Sequence, residues 1–321
     1  MLTGPSGARG GTLQQGRPAA PAWAVHRPAG RDVGLMAVAV VGISFSGPLT
    51  ALVTASFVAI AFWRTAAGAA ALLPVLLLRE RSTLHGLRAR QLGSSVVAGL
   101  LLAAHFAAWL PSLSMTTVAA STALVTTTPV WTALAARSSG VDLPARVWWG
   151  LLLAVVGAAL IAGVDVTVSW EALAGDGLAL LGAVCAGGYM LAGARARERL
   201  TTSAYAVVCY STCAVALAAA ALVADVPLAG FPARDWLLIA AITVCAQLLG
   251  HTLLNQVLSS VGPTVVGLAV LLEVPGALLV ALALLHQAPP LLALPGMVAV
   301  VIGVALVVRA GRPSPVIEPV T

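Results

Sequence analysis

Ten apolar stretches, each about as long as a bilayer is thick, follow one another from Val33 to Val308 with short polar breaks between them. No other property of the chain narrows its possible folds so far. A helix rises 1.5 Å per residue, so about 20 apolar residues cross the hydrocarbon core with every backbone group bonded internally. Hydrophobic residues make up 60 % and charged residues 9 % of the 321, with a mean hydropathy of +1.00. A soluble domain carries about 25 % charged residues. The segments run over roughly 33–53, 57–78, 92–113, 117–136, 147–163, 177–194, 203–224, 236–256, 262–285 and 291–308. The expected fold is therefore an all-α polytopic membrane protein.

Residues 1–32 are rich in Gly, Pro, Gln and Arg, have no apolar core, and lack the apolar run and cleavage site of a secretory signal. They are expected to form a disordered cytoplasmic tail, as is 309–321. The net charge of +6 fits orientation charges beside membrane helices and gives no reason to expect nucleic acid as a partner. All 17 basic residues are Arg, which with abundant Ala, Gly and Pro resembles the codon bias of a GC-rich, bacterial genome. The cysteines at 185, 209, 213 and 245 lie inside apolar segments without further metal ligands, so they read as small packing residues. Neither a nucleotide-binding loop nor a cluster with metal-ligand spacing is present in the sequence, so no cofactor, no metal and no catalytic role is expected.

Arginine placement sets the orientation. With the N-terminus inside, arginines collect on that side in the tail, the 79–90 loop, at Arg137 and Arg146, at Arg195, Arg197 and Arg199, and at Arg309 and Arg312. Only Arg234 falls outside, together with Asp165, Glu171, Asp225 and Asp235. Ten crossings then put both termini in the cytoplasm.

Shifting the chain against itself by 146 positions superposes His105 on His251, Ser114 on Ser260, Pro129 on Pro275, Pro144 on Pro290, Gly150 on Gly296 and Gly157 on Gly303. The two halves, 33–163 and 177–308, are thus expected to be copies of one five-helix unit. Five is odd, so the second copy enters from the opposite face. Inverted-topology repeats of this kind suit alternating access around a site at the repeat interface.

At these residues the chain resembles the EamA-type transporters of the drug/metabolite transporter superfamily. Gly42-Ile43-Ser44-Phe45 is similar to the family's opening element, Phe62-Trp63-Arg64 to its aromatic–arginine element, and Leu272-Glu273-Val274-Pro275 to its Leu-Glu-Pro element with one residue inserted. Gly150, Gly157, Gly296 and Gly303 match the glycines closing each copy. The family's Gly-Glu after the fourth helix is replaced by Gly140-Val141-Asp142, and its counterpart by His286-Gln287. The resemblance implies a permease for metabolites, amino acids or drugs, often an exporter, with no enzymatic activity.

Glu273 is the sharpest candidate residue. About 11 residues into its segment, it lies roughly 16 Å deep, where a charge costs about 2.5–3.5 kcal/mol on insertion scales. Pro275 frees the carbonyl of Leu271 and should bend the helix there. Glu273 reads either as a proton carrier or as a protonated packing residue. Gln247, His251 and Asn255 share one face of the eighth segment within about 80° of arc, fit to line a cavity or to bond neighbouring helices. His251 also has the chemistry to exchange protons with Glu273.

His105 and Trp109 should point away from the small-residue ridge Ser95, Gly99, Ala103 and Ala107. Thr117, Ser121, Thr128 and Thr132 line one side of the fourth segment, where bonding to their own backbone competes with a role in the cavity. Ser44, Phe45 and Tyr189 complete the cavity candidates. Arg64 is expected either to snorkel to the outer surface as an anchor or to bind an anion. Trp148, Trp149, Trp170 and Trp236 fall at helix ends as interfacial anchors.

The sequence thus leads to a ten-helix permease of the bacterial inner membrane, with a cavity lined by segments 1, 3, 4, 6, 8 and 9. It would export a small organic solute, with protons as the candidate exchange ion and membrane lipid as surroundings. An uncoupled facilitator and a non-transporting membrane protein remain as alternatives.

Overall fold

A computed structural model describes residues 26–80, 89–116, 118–162, 169–286, 293–310 and 312–313. The greater part of both expected tails, Thr117, Asp165, Gln287 and Pro290 lie outside these residues. The regular elements among the described residues are helices, apart from a two-residue parallel pairing of His26–Arg27 with Arg312–Pro313.

Each apolar segment folds as helix. The first is α1 (Gly30–Ser44) and α2 (Ser46–Thr50), the second α3 (Phe57–Arg79), the third α4 (Ala89–Met115). The fourth is split into α5 (Val118–Val125) and α6 (Thr128–Ser138), and the fifth is α7 (Ala145–Ala162). In the second half, α8 (Trp170–Arg197) and α9 (Thr202–Val223) precede α10 (Ala233–Ile242), a π-helix over Thr243–Thr252, and α11 (Leu253–Val261). The ninth segment is split into α12 (Pro263–Val270) and α13 (Glu273–Leu285), and α14 (Ala293–Ala310) is the last. Eight of the described helical stretches are long and apolar enough to cross a membrane; α7 is shorter, and the fourth segment is short because it is broken.

The helices start where side chains can satisfy open backbone donors. Ser56, Ser169 and Thr201 cap α3, α8 and α9 by accepting from the amides of Ala59, Ala172 and Ala204. The breaks in segments four and nine, Thr126–Thr127 and Leu271–Leu272, fall within one residue of repeat-equivalent places, just ahead of Pro129 and Pro275. A proline donates no backbone hydrogen bond and excludes the preceding turn. The ninth segment therefore does more than bend at Pro275. It stops and restarts, and the carbonyl of Leu271 is taken up by the Val274 amide in a tight turn at 3.3 Å.

Packing mirrors the repeat. α4 lies along α8 as α1 lies along the π-helix, and the mates α3 with α9 and α7 with α14 pack on one another. At the α7–α14 crossing, a Cβ built on Gly150 would come 2.7 Å from the Gly303 carbonyl oxygen, and one on Gly157 would come 2.7 Å from that of Gly296. The contacts are reciprocal, and early residues of one helix meet late residues of the other, so the pair is antiparallel. The small-residue ridge does the same for α4: Gly99 sits against the Cys209 carbonyl of α9. Trp149 and Trp170 are exposed at helix ends, whereas Trp236 packs edge-on against Trp63 at 5.0 Å.

Candidate solute cavity

A cavity lies where the broken helices meet. Its walls come from Ile43 and Ser46, His105 and Trp109, Thr126 and Thr128, Tyr189, His251 and Asn255, and Glu273, with apolar residues between them. These belong to segments 1, 3, 4, 6, 8 and 9, the six expected from the sequence. Its free volume is about 50 Å³, room for one or two waters, whereas sites for small molecules span about 300–1,000 Å³. The centre is contracted relative to such sites.

The breaks explain the cavity's polarity. Glu273 follows the gap between α12 and α13 as the first residue of α13, where open amides and the helix dipole favour negative charge. It is 9 % exposed and lines the cavity without a hydrogen bond to another described residue. Its repeat-equivalent is Thr127, so the polar charge of the pair exists in one half only.

The expected stripe on the eighth segment divides: His251 and Asn255 line the cavity, whereas Gln247 lies behind its wall. His251 faces the cavity, in ring contact with Phe106 and Tyr189. Asn255 also lines it, accepting from the Tyr189 hydroxyl at 2.7 Å and donating to Tyr210 at 3.2 Å. Tyr210 is within 3.1 Å of Thr252, which donates to the Gln247 carbonyl five residues back. Gln247 itself turns to Arg64, accepting from Nε at 3.1 Å.

Arg64 corrects the anchor reading. It does not snorkel: at 1 % exposure it is the largest fully buried side chain described. Its Nη1 donates to Ser46 at 3.1 Å, and its guanidinium lies over the Phe106 ring at 4.6 Å. It cannot reach water because its partners, Gln247 and Ser46, lie on the inner faces of segments 8 and 1.

On α4, His105 and Trp109 point away from the ridge and stack at 5.5 Å and 20°, with His105 Nδ1 held 2.9 Å from the Gly182 carbonyl. On the fourth segment Thr128 reaches the cavity while bonding the Val125 carbonyl at 2.8 Å. Ser121 bonds Ser112 at 2.6 Å and Thr132 the Pro129 carbonyl, so neither lines the cavity. Ser44 bonds the Val40 carbonyl and touches Gly276, while Phe45 joins an apolar cluster with Leu49, Ile60 and Ile242. Ser46 was not singled out by sequence; its signal is a small polar residue just ahead of Gly47-Pro48, where the first helix breaks.

The two ends differ. At the end of the first segment, buried Asp235 accepts from the Thr54 amide, the Thr54 hydroxyl and the Ala55 amide at 3.1, 2.5 and 3.2 Å. Trp63 donates to the Leu228 carbonyl at 2.6 Å beside it. Both contacts tie the first half to the second. At the opposite end, where α1 begins, a recess of about 530 Å³ opens between Arg31, Glu80, Arg197, Thr201 and Gln256.

Among known proteins, one solved crystal structure, described only as that of a protein, superposes with a TM-score of 0.71. It is 19 % identical, and the match covers 87 % of this chain and 96 % of that one, which speaks to the fold alone. A comparison with curated proteins returns no match. The EamA-like transporter family matches twice, over residues 32–163 and 173–309, once for each half. Its members are transporters rather than enzymes, moving small molecules through a lipid membrane. By these two matches, the chain belongs to the EamA-like transporter family, within the drug/metabolite transporter superfamily.

Proposed function

We propose that this protein is a secondary transporter that exports a small organic solute across the bacterial cytoplasmic membrane by alternating access, exchanging it for protons at Glu273. One observation carries the reading: both five-helix copies contribute walls to a contracted central cavity that holds Glu273 and His251. Ten apolar segments support ten crossings, and the placement of arginines supports both termini inside. Inversion of the copies is supported by the antiparallel crossing of α7 and α14. In that orientation the recess at the start of α1 faces the cytoplasm, and the halves are tied on both sides, by Asp235 on Thr54 and Ala55 outside and by Thr201 on Glu80 within. Glu273 is the single acidic side chain among the cavity-lining residues, and an intramembrane carboxyl is a candidate proton site by its cost alone.

The test compares metabolite pools inside and outside cells that lack the protein with cells that overproduce it. A compound enriched outside and depleted inside on overproduction is expected; the reverse pattern overturns the direction. In vesicles, Glu273→Gln should fold and abolish pH-driven flux. Undiminished pH-driven flux in that variant removes Glu273 from the coupling.

A further inference from the structure

We infer that the central cavity takes a solute bearing one carboxylate on a flat, largely apolar body, an inference that rests on the transport reading above. It comes from a surplus of unspent donors. Three buried donors at or just behind the cavity have no acceptor: Arg64 Nη2, Gln247 Nε2 and Trp109 Nε1. Arg64 and Gln247 are bonded to each other, and Arg64 reaches the wall through Ser46. Trp109 is on the wall itself. A buried polar group is normally satisfied, and a buried cation without a paired anion is among the most costly groups a membrane interior can hold. Arg64 forms no ion pair among the described residues.

The guanidinium is a planar fork whose geometry matches a carboxylate with two parallel hydrogen bonds. Neutral oxygen acceptors from Gln247 and Ser46 occupy Nε and Nη1 and leave Nη2 open, so the remaining demand is for an anionic oxygen. Glu273, whose charge acts on Arg64 from the cavity wall, bonds none of its nitrogens. The partnerless Asp176 Oδ1, on a half-buried residue, lies ten residues before Ala186 on α8, about 15 Å along the axis, and cannot answer the demand. A single cation limits the solute to one carboxylate. Glu273 on the wall reinforces that limit, because a second anionic group would face it directly. Glu273 instead suits a hydrogen-bond donor on the solute, which competes with a proton for the same oxygens and so fits exchange. The body is set by the rings of His105, Trp109, Tyr189 and His251, with His105 and Trp109 stacked near-parallel. Flat solutes gain most from such walls.

The experiment measures equilibrium binding of radiolabelled 4-hydroxybenzoate and indole-3-acetate to the full chain in detergent, each against its primary amide. The wild type should bind the acids at least tenfold more tightly than the amides. Arg64→Gln should bring acid and amide within threefold of each other, and Arg64→Lys should retain part of the preference. Should Arg64→Gln not fold, Trp109→Phe should weaken acid binding at least threefold. Equal binding of acid and amide by the wild type overturns the inference, as does no acid binding up to 10 mM. So does an acid preference that survives in Arg64→Gln, or unweakened acid binding in Trp109→Phe. Acid binding without flux in proteoliposomes would leave the inference standing and remove the transport reading. Flux of neutral solutes with no acid preference would do the reverse.

Discussion

The crossing of α7 and α14 allows a stability prediction with its own internal control. A Cβ on Gly303 would lie 2.5 Å from the Gly150 carbonyl oxygen and 2.7 Å from the Ala154 amide nitrogen. Both are backbone atoms, which cannot rotate aside. A weak contact between carbon and a carbonyl oxygen needs about 3.3 Å, so the helices must part by more than half an ångström. Gaps of that order forfeit a quarter to a half of each dispersion contact, and overpacking of this kind costs about 1–3 kcal/mol. Alanine returns up to about 1 kcal/mol through its helix preference. Gly303→Ala should therefore destabilise by about 1–2 kcal/mol, roughly a 5–30-fold change in the unfolding equilibrium. Gly177, in α8, has nothing within 4 Å of its built Cβ, so Gly177→Ala should stabilise by up to about 1 kcal/mol. Equilibrium unfolding in mixed SDS micelles, followed by tryptophan fluorescence, reads both. The Gly150→Ala/Gly303→Ala double variant should fall short of the summed single effects by at least about 0.5 kcal/mol, because the first methyl has already opened the crossing. Gly303→Ala as stable as the wild type would refute the backbone-on-backbone packing.

Asp235→Ala strands the buried amide of Ala55, an unpaired donor costing about 1–3 kcal/mol, and releases that of exposed Thr54 to water; amide hydrogen exchange there should quicken at least tenfold. Tyr210→Phe removes the hydroxyl shared by Asn255 and Thr252 and should lower stability by about 1–2 kcal/mol in the same SDS assay. Ser121→Ala, which breaks the buried bond to Ser112, should cost about 1 kcal/mol in unfolding free energy and leave transport unchanged.

Much of the architecture was legible because lipid leaves few alternatives: length and apolar content alone located the helices, and the 146-residue shift paired the halves. The six walls of the cavity followed from where polar residues interrupt apolar helices. Three features were not legible. The π-helix at Thr243–Thr252 escapes detection because spacing of i, i+4 and i+8 fits α- and π-geometry about equally over two turns. The burial of Arg64 depends on Gln247, 183 residues away, and nothing local to Phe62-Trp63-Arg64 distinguishes an inward from an outward turn. The double break in segments four and nine was half visible: the prolines marked the places, but periodicity does not tell a kink from a full stop.

The contracted centre bears on how a cell keeps its membrane charged. A bilayer that stores energy as a proton gradient is short-circuited by any continuous thread of water, along which protons hop far faster than solutes diffuse. About 50 Å³ around Glu273 and His251 holds one or two waters, too few to form such a thread. On the alternating-access reading proposed above, such a centre insulates the membrane, and solute passes only as the walls part, one molecule at a time.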